Sequence, residues 1–186
     1  LMQIDLSNKN ILVTGGGGDG LGQGICEAIA ASGGNVIVND LNPELANEVA
    51  AKYEKGLAVA GDVSIAAEVD RIFKKIKADA GVVHGLVNNA GIGLPRYAHE
   101  AEEAEVSRLY NVDVKGLWMM SKAFVRQLLH ENEVGHIVNI ASVQAMATMP
   151  KMALYAGAKS AVTGLTRGMA VELGKHNMRC NAVAPG

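Results

Sequence analysis

The segment Ile11-Leu12-Val13-Thr14-Gly15-Gly16-Gly17-Gly18-Asp19-Gly20-Leu21-Gly22 joins an apolar run to a glycine-rich turn. The apolar run predicts a buried strand, and the stretch from Leu21 to Ala31 predicts an amphipathic helix. Glycines between a strand and a helix let backbone N–H groups approach a pyrophosphate closely, and the helix N-terminus favours negative charge there. The segment therefore predicts a dinucleotide site. Its candidate contacts are Gly15, Asp19, Gly20, Leu21 and Gly22.

An acidic residue follows at the position that such a site requires. Asp40 ends a second predicted strand and lies twenty residues after Gly20. A carboxylate there can accept hydrogen bonds from the adenosine ribose hydroxyls, and it repels a 2′-phosphate. NAD is therefore expected as the cofactor in preference to NADP, with Asp40 and Leu41 among its contacts. The alternative is a flexible glycine turn without a ligand, but strand, loop, helix, strand and acid occur in the order that dinucleotide binding needs.

Strand and helix patterns alternate along the chain. Further strands are predicted at 35–40, 57–60, 84–88, 136–140 and 179–183. Further helices are predicted at 43–55, at 65–80 with Ser64 as N-cap, at 100–130 and at 152–173. The alternation implies a parallel sheet with right-handed crossovers and helices on both faces. The expected fold is α/β, a Rossmann-like doubly wound parallel sheet in three layers, with residues 1–186 forming one dinucleotide-binding and catalytic domain.

Composition argues against several classes of protein. The net charge is −2 and 19% of the residues are charged, which gives no basic surface for nucleic acid or an anionic membrane. No apolar stretch is long enough to span a membrane. The five histidines form no metal-ligand spacing, so no metal site is expected. Cys26 and Cys180 lie in apolar stretches and are interpreted as buried thiols, which favours a reducing compartment and a cytoplasmic location.

Tyr155 and Lys159 share one face of the predicted helix at 152–173, because residues four apart are neighbours on a helix. A free tyrosine has a pKa near ~10, which is too high for efficient proton transfer at neutral pH. An ammonium group about 6 Å away stabilises the phenolate by roughly 3 kcal/mol at an effective dielectric constant of ~20. The pair is therefore a candidate general acid and base, although helix-surface packing explains most isolated Tyr-x-x-x-Lys sequences.

Several motifs together resemble the short-chain dehydrogenase/reductase family, in the family's order along the whole chain. Thr14–Gly22 is similar to its glycine loop, Asp62-Val63 to its adenine-contacting pair and 88–91 to its Asn-Asn-Ala-Gly motif. The segment 181–186 is similar to its Asn-x-Val-x-Pro-Gly segment near the nicotinamide. The residues that match its catalytic tetrad are Asn111, Ser142, Tyr155 and Lys159.

The resemblance implies reversible hydride transfer between NAD and a secondary alcohol or ketone. Tyr155 is the implied general acid and base, and Lys159 is implied to lower its pKa and to hold the nicotinamide ribose. Ser142 is implied to bind the carbonyl oxygen, and Asn111 to hold a water that relays protons to Lys159. The further cofactor contacts that the resemblance implies are Asp62, Val63, Asn89, Ala90, Gly91, Pro185 and Gly186.

Other interpretations of these residues stay open. Ser142 fits a strand-terminal turn, Asn111 a polar position inside a helix, and Asp62 a capping or turn aspartate. Asn89 can tie neighbouring strands together. For the chain as a whole, one alternative is a 3-oxoacyl-thioester (acyl carrier protein) reductase using NADPH, against which Asp40 argues. Another is a dinucleotide-binding fragment without turnover.

Two departures from the family pattern are visible. The loop holds four residues between Gly15 and Gly20, where the family has three, so one residue of 16–19 is effectively inserted. Family members also continue beyond Pro-Gly, and the chain is expected to lack their C-terminal strand and helix.

The two long predicted helices, around 101–130 and 152–174, carry more apolar positions than one sheet face needs. Exposed apolar helix faces mark contacts with partners. A homodimer or homotetramer formed through these helices is expected. The other expected partner is a small-molecule alcohol or ketone, with no nucleic acid and no membrane.

Overall fold

A computed structural model describes residues 4–186 as one six-stranded sheet with helices on both faces. All neighbouring strands run parallel, and their spatial order is 3-2-1-4-5-6 in sequence numbering. The strands are β1 (Asn10–Thr14), β2 (Asn35–Asp40), β3 (Leu57–Ala60), β4 (Gly85–Asn88), β5 (His136–Ile140) and β6 (Arg179–Val183). The predicted Rossmann-like doubly wound α/β fold is confirmed.

The helices form the two outer layers. They are α1 (Leu21–Ala31), α2 (Pro43–Ala50), α3 (Ala66–Asp79), α4 (Glu103–Tyr110), α5 (Leu117–Glu131) and α6 (Ala153–Gly174). The helices α1 and α2 cover one face of the sheet, and α3, α5 and α6 cover the other. A π-helical segment (Asn111–Gly116) joins α4 to α5, and a 3-10 turn (Val143–Ala145) follows β5. No helix within residues 4–186 is both long and apolar enough to cross a membrane.

Side chains of the central strands alternate between the two faces of the sheet. Leu12 and Ile37 pack with α3 and α5, whereas Val13 and Val38 pack with α1 and α2. All four side chains are buried. Because both faces are covered, these strands are continuously apolar through their centres, and the strand predictions agree with the structure to within one residue at each end.

The prediction for the second helix is wrong at its C-terminus. The helix was expected to reach Lys55 but ends at Ala50, because residues 51–55 fold into turns. These turns bring Gly56 so close to Ala50 that a Cβ on Gly56 would lie 2.0 Å from the Ala50 carbonyl oxygen. Only glycine allows this approach, and a helix continued to Lys55 would remove it.

The predicted N-cap of α3 is also wrong. The backbone N–H of Ser64 donates a hydrogen bond to Asp62 Oδ1 at 2.8 Å, and Ile65 occupies the N-cap position without a side-chain cap. Asp62 therefore organises the turn that precedes the helix, as the alternative interpretation of this residue expected.

The single long helix predicted at 100–130 is in fact three segments. The helix α4 begins at Glu103, where Glu102 and Glu105 form a capping box, and the π-helical segment then separates it from α5. Gly116 ends this segment against the loop after β3, since a Cβ there would lie 3.0 Å from Val63 Cγ2 and 3.1 Å from Val63 O. Turns of π-helix are uncommon and occur frequently at functional sites.

Candidate functional site

The candidate site lies at the carboxyl ends of the strands, where the strand order reverses between β1 and β4. The loops after these two strands diverge, and ligands of open α/β sheets bind in the crevice that such a divergence opens. A cavity of about 660 Å³ occupies it. The predicted cofactor contacts that line the cavity are Gly15, Asp40, Leu41, Asp62, Val63, Asn89, Ala90 and Gly91. The predicted contacts outside its lining are Asp19, Gly20, Leu21, Gly22, Tyr155, Lys159, Pro185 and Gly186.

The glycine loop forms a cradle that larger residues would fill. Gly15 has a φ of +59° and approaches β4 so closely that a Cβ would lie 2.9 Å from Ala90 Cα. A Cβ on Gly22, in the first turn of α1, would lie 2.2 Å from the Gly15 carbonyl oxygen. Gly20 occupies the N-cap of α1 without a side-chain cap, and the space beside it is open. Uncapped N–H groups at a helix N-terminus beside open space suit a pyrophosphate.

The acid at the end of β2 is held by the longer loop. Asp40 Oδ2 accepts a hydrogen bond from the Gly17 N–H at 3.0 Å, and Oδ1 accepts one from the Asn42 N–H at 3.0 Å. A Cβ on Gly17 would lie 2.9 Å from Leu45 Cβ and 3.0 Å from Asp40 Oδ2, so the loop packs tightly against the acid. Gly17 therefore orients the Asp40 carboxylate at the edge of the cavity.

Thr14 and Asn89 tie the ends of β1 and β4 together. Thr14 Oγ1 accepts hydrogen bonds from the backbone N–H groups of Asn89 and Ala90, each at 3.0 Å. Asn89 Nδ2 donates to the carbonyl oxygens of Thr14 at 3.0 Å and Gly15 at 2.8 Å. Asn89 thus ties the strands together, as one interpretation expected, and it also lines the cavity.

Ser142, Tyr155 and Lys159 come from the end of β5 and the start of α6. Tyr155 lies in the first turn of α6, and Lys159 Nζ lies 5.5 Å from the centre of its ring. Ser142 is 9% exposed and accepts a hydrogen bond from the Gln144 N–H at 3.2 Å. The turn after Ser142 is fastened to α6 by Ser160, whose hydroxyl donates to the Ala145 carbonyl at 3.2 Å. Tyr155 therefore lies at the N-terminal end of α6, beside the ammonium group of Lys159.

Lys159 is itself buried, at 4% exposure, and has two polar contacts. Its Nζ donates to the Ile140 carbonyl at 3.2 Å and lies 3.0 Å from Asp113 Oδ2 in an ion pair. Asp113 is 1% exposed, and its Oδ1 accepts a hydrogen bond from the Ile92 N–H at 2.8 Å. Burial raises the pKa of the Asp113 carboxyl above its ordinary value, and Lys159 opposes that shift.

The sequence interpretation did not find Asp113, although its position carried a signal. Asp113 stands four residues after the buried Leu109 and four before the buried Leu117, so it falls on the apolar stripe of the helix predicted there. A charged residue on a buried stripe needs a partner, because an isolated charge in a protein interior is strongly unfavourable. The partner is Lys159.

Asn111, the predicted fourth member of the catalytic set, lies apart from Lys159. Its side chain is exposed and lines the wall of the cavity. In the part of the chain that the structure describes, Lys159 Nζ has its polar contacts with Ile140 and Asp113, and Asn111 is not among them. A relay from Asn111 through water to Lys159 stays a prediction.

Pro185 and Gly186 lie beside Ser142, because β6 pairs with β5. The Pro185 carbonyl accepts a hydrogen bond from the Val143 N–H at 2.9 Å, and the Val183 carbonyl accepts one from the Ala141 N–H at 2.8 Å. The segment 181–186 is therefore positioned next to the serine rather than in the cavity.

The cysteines and metal-binding residue types lie outside this chemistry. Cys26 and Cys180 are buried free thiols, and burial raises the pKa of each to about 11. Such thiols stay protonated and inert at neutral pH. Residues 4–186 contain no group of three or more His, Cys, Asp or Glu side chains arranged to hold a metal ion.

Several known proteins have sequences similar to this chain. Residues 9–186 match the family model described as short chain dehydrogenase. The chain is 39% identical over 189 residues to 2-(S)-hydroxypropyl-CoM dehydrogenase 3 of Xanthobacter autotrophicus, and the match covers 100% of this chain and 73% of that protein.

Two solved structures are similar to the whole sheet and its helices. The 3-ketoacyl-(acyl-carrier-protein) reductase from Brucella melitensis, complexed with NADH, has a TM-score of 0.92 and 33% identity, over 97% of this chain and 76% of that one. The gluconate 5-dehydrogenase from Burkholderia cenocepacia, in complex with NADP and tartrate, has a TM-score of 0.93 and 30% identity, over 99% of this chain and 73% of that one.

Two substitutions in the first helix test the glycine cradle. Gly22→Ala places a Cβ against the Gly15 carbonyl and displaces the cradle, and we expect NADH binding to weaken at least about fivefold, since overpacking costs roughly 1–3 kcal/mol. Gly24→Ala is the matched control, because nothing lies within 4 Å of its Cβ position. It should leave NADH binding unchanged and stabilise the protein by up to about 1 kcal/mol. Fluorescence titration with NADH and urea unfolding measure both effects, and equal binding by the two variants would contradict the cradle.

Proposed function

Because the chain belongs to the short chain dehydrogenase family, we propose that Tyr155, Lys159 and Ser142 exchange a proton with a bound alcohol or ketone beside the dinucleotide crevice. Membership makes the chain an oxidoreductase that interconverts CH–OH and C=O groups with a pyridine nucleotide. The observation that supports the residue assignment most directly is the buried Lys159, one helical turn after Tyr155 and 5.5 Å from its ring centre.

The residues of the crevice fit a dinucleotide. The cradle formed by Gly15, Gly20 and Gly22 leaves room for a pyrophosphate at the uncapped end of α1. In this proposal Asp40 holds the adenosine ribose, while Asp62 and Val63 contact the adenine. When bound, the nicotinamide accepts or supplies the hydride, and the protein contributes position and protons. The remaining proposed contacts are Asp19, Leu21, Leu41, Asn89, Ala90, Gly91, Tyr155, Lys159, Pro185 and Gly186.

The proton chemistry belongs to the protein. Tyr155 donates a proton to the carbonyl oxygen in reduction and accepts one from the alcohol in oxidation. Ser142 donates a hydrogen bond to the same oxygen and stabilises the charge that develops there. Lys159 makes the phenolate of Tyr155 more stable because an opposite charge nearby favours the ionised form. Asn111 is retained as a proposed water ligand at the cavity wall.

Tyr155→Phe tests the proton donor. The variant keeps the ring but has no hydroxyl, so we expect turnover to fall by at least about a hundredfold. NADH binding should be nearly unchanged. Tyr53→Phe, at the turn after α2, is the matched control and should keep wild-type turnover. The rate of NADH oxidation with a panel of ketones measures turnover. Retained activity of Tyr155→Phe would remove the tyrosine from the mechanism.

We infer a preference for NAD over NADP from Asp40. Its carboxylate is held in place by Gly17 and Asn42, so it cannot turn away from a 2′-phosphate without losing two hydrogen bonds. Two like charges in contact repel, which disfavours NADP. The comparisons leave the choice open, because one solved relative was complexed with NADH and the other with NADP.

Asp40→Asn tests this preference. The amide keeps the shape and one acceptor but removes the charge, so we expect the ratio of kcat/KM for NADH to that for NADPH to fall at least about tenfold, or ~1.4 kcal/mol. Glu48→Gln, on the exposed side of α2, is the control and should leave the ratio unchanged. Equal use of NADH and NADPH by the wild-type protein would refute the role of Asp40.

A 3-oxoacyl thioester is the second candidate substrate class. The reductase from Brucella melitensis that acts on such substrates is 33% identical to this chain. A panel that includes a secondary alcohol, simple ketones and a 3-oxoacyl thioester separates the two classes. The absence of turnover on every member would favour the remaining alternative, a dinucleotide-binding protein without catalysis.

We also propose a homodimer or homotetramer formed through α5 and α6. A cavity of about 440 Å³ is lined by residues of both helices, among them the exposed Trp118. Gly164 and Gly168 leave open space on α6, which allows a second helix to approach closely. Gly168→Glu should reduce the mass found by sedimentation velocity while the circular dichroism spectrum stays unchanged. A wild-type monomer at micromolar concentration would contradict this assembly.

The cytoplasm remains the proposed location. The buried, reduced thiols of Cys26 and Cys180 suit a reducing compartment. Fractionation of cells that express the tagged full-length protein tests it.

A further inference from the structure

The segment between β5 and α6 connects two residues of the proposed site. Ser142 stands at its start, and Tyr155 lies just beyond its end in the first turn of α6. The exposed side chains of this segment have no part in the chemistry proposed above. Met146 is 78% exposed, Met149 is 60% exposed, and Lys151 is exposed as well. A substrate whose oxygen contacts both Ser142 and Tyr155 therefore lies near this segment.

Lys151 has an unusual backbone conformation for a lysine. Its φ is +68°, in the left-handed region that residues with large side chains seldom adopt. Within residues 4–186, the other non-glycine residues with positive φ are Asn8, Asn132 and Asn177, and asparagine tolerates this region. Strained residues cluster at active sites and ligand clamps. The strain at Lys151 therefore indicates a role for its side chain beyond the turn itself.

The loop after β4 fixes Lys151 at two points. The Arg96 N–H donates a hydrogen bond to the Lys151 carbonyl at 2.9 Å. Lys151 Nζ lies 5.3 Å from the centre of the Tyr97 ring, a distance at which an aromatic ring attracts a cation. The Tyr97 ring in turn stacks on His99, with ring centres 5.8 Å apart. Because residues 89–92 of the same loop line the dinucleotide crevice, the loop runs from the crevice to Lys151.

The charge of Lys151 is not neutralised by the acids of this loop or of α4. Glu105 forms an ion pair with Arg96 at 2.6 Å. Glu100 Oε1 lies 3.9 Å from His99 Nε2. In the part of the chain that the structure describes, Lys151 forms no ion pair. A single unpaired ammonium group attracts one negative charge.

We propose that Lys151 determines specificity by binding a carboxylate of the substrate, so that the substrate is a ketone or secondary alcohol that carries a carboxylate. This inference rests on the proposed function of the same site. The carbonyl or alcohol oxygen faces Ser142 and Tyr155, and the carboxylate reaches the ammonium group of Lys151. Met146 and Met149 offer an adaptable apolar surface to the carbon chain between these two ends.

Ketones that differ only in charge test this role. The probes are 3-oxobutanoate, 4-oxopentanoate and 5-oxohexanoate, each compared with its methyl ester. Isothermal titration calorimetry measures their binding to the full-length protein saturated with NAD⁺, which cannot reduce a ketone. We expect at least one acid to bind about fivefold more tightly than its ester, the upper end of what an exposed ion pair contributes.

Variants of Lys151 separate its charge from its place in the turn. Lys151→Asn removes the charge and suits the left-handed backbone, so it should abolish the preference for the acid without lowering the urea midpoint. Lys151→Arg retains the charge and should retain the preference. Lys175→Gln, an exposed position at the opposite end of α6, is the matched control and should bind both probes as the wild type does.

Equal ratios of acid to ester binding in the wild type and Lys151→Asn would overturn the proposal. A wild type that prefers none of the acids would overturn it as well. A lower urea midpoint of Lys151→Asn with an unchanged preference would assign Lys151 a structural role. Since calorimetry with NAD⁺ requires no turnover, a failure of the proposed function in the ketone assays is distinguished from a failure of this inference.

Discussion

The contact between the ends of β1 and β4 holds the crevice in its shape. Thr14 Oγ1 accepts two backbone N–H groups from the facing strand, and Gly15 approaches Ala90 to a distance that no side chain at this position would permit. The loop after β1 continues toward α1 and Asp40. The loop after β4 continues toward the π-helical segment. The glycine cradle and the loop after β4 are therefore positioned by one rigid edge rather than separately.

Much of the fold could be predicted from the sequence, and for a physical reason. Strands buried on both faces, such as β1, are marked by apolar runs whose ends nearly coincide with the strand ends. The errors lie where a close approach of a glycine to another segment decides the local structure. Gly116 packs against Val63, at the end of the π-helical segment that divides the helix predicted at 100–130. Gly56 packs against Ala50, where α2 ends earlier than predicted. The spacing of apolar residues indicates which face of a helix is buried. It does not indicate where a helical turn contains an extra residue, as it does in a π-helix.

Part of the candidate site could likewise be predicted from the sequence. The glycine loop, Asp40 and the Tyr155–Lys159 pair carry signals in residue type and spacing. Gly15 and Asp40 line the crevice, whereas Tyr155 and Lys159 lie outside its lining. Asn111 and Asp113 show the limit, because they are two residues apart in the same segment. Which of them turns inward depends on the register that the π-helical segment imposes, and the structure turns Asp113 toward Lys159 and Asn111 toward the cavity.

The Asp40 carboxylate is fixed by the Gly17 and Asn42 N–H groups before any ligand binds. The carboxylate is ordered by the fold itself, so ligand arrival carries little entropic penalty for fixing that side chain, which otherwise amounts to about 0.5–1.5 kcal/mol. The same loop residue fills the space next to the acid. Asp40 and Gly17 therefore act as one unit, because the Gly17 N–H holds the carboxylate and Gly17 packs against it. A substitution that removes the Asp40 carboxylate would also leave the Gly17 N–H without its acceptor.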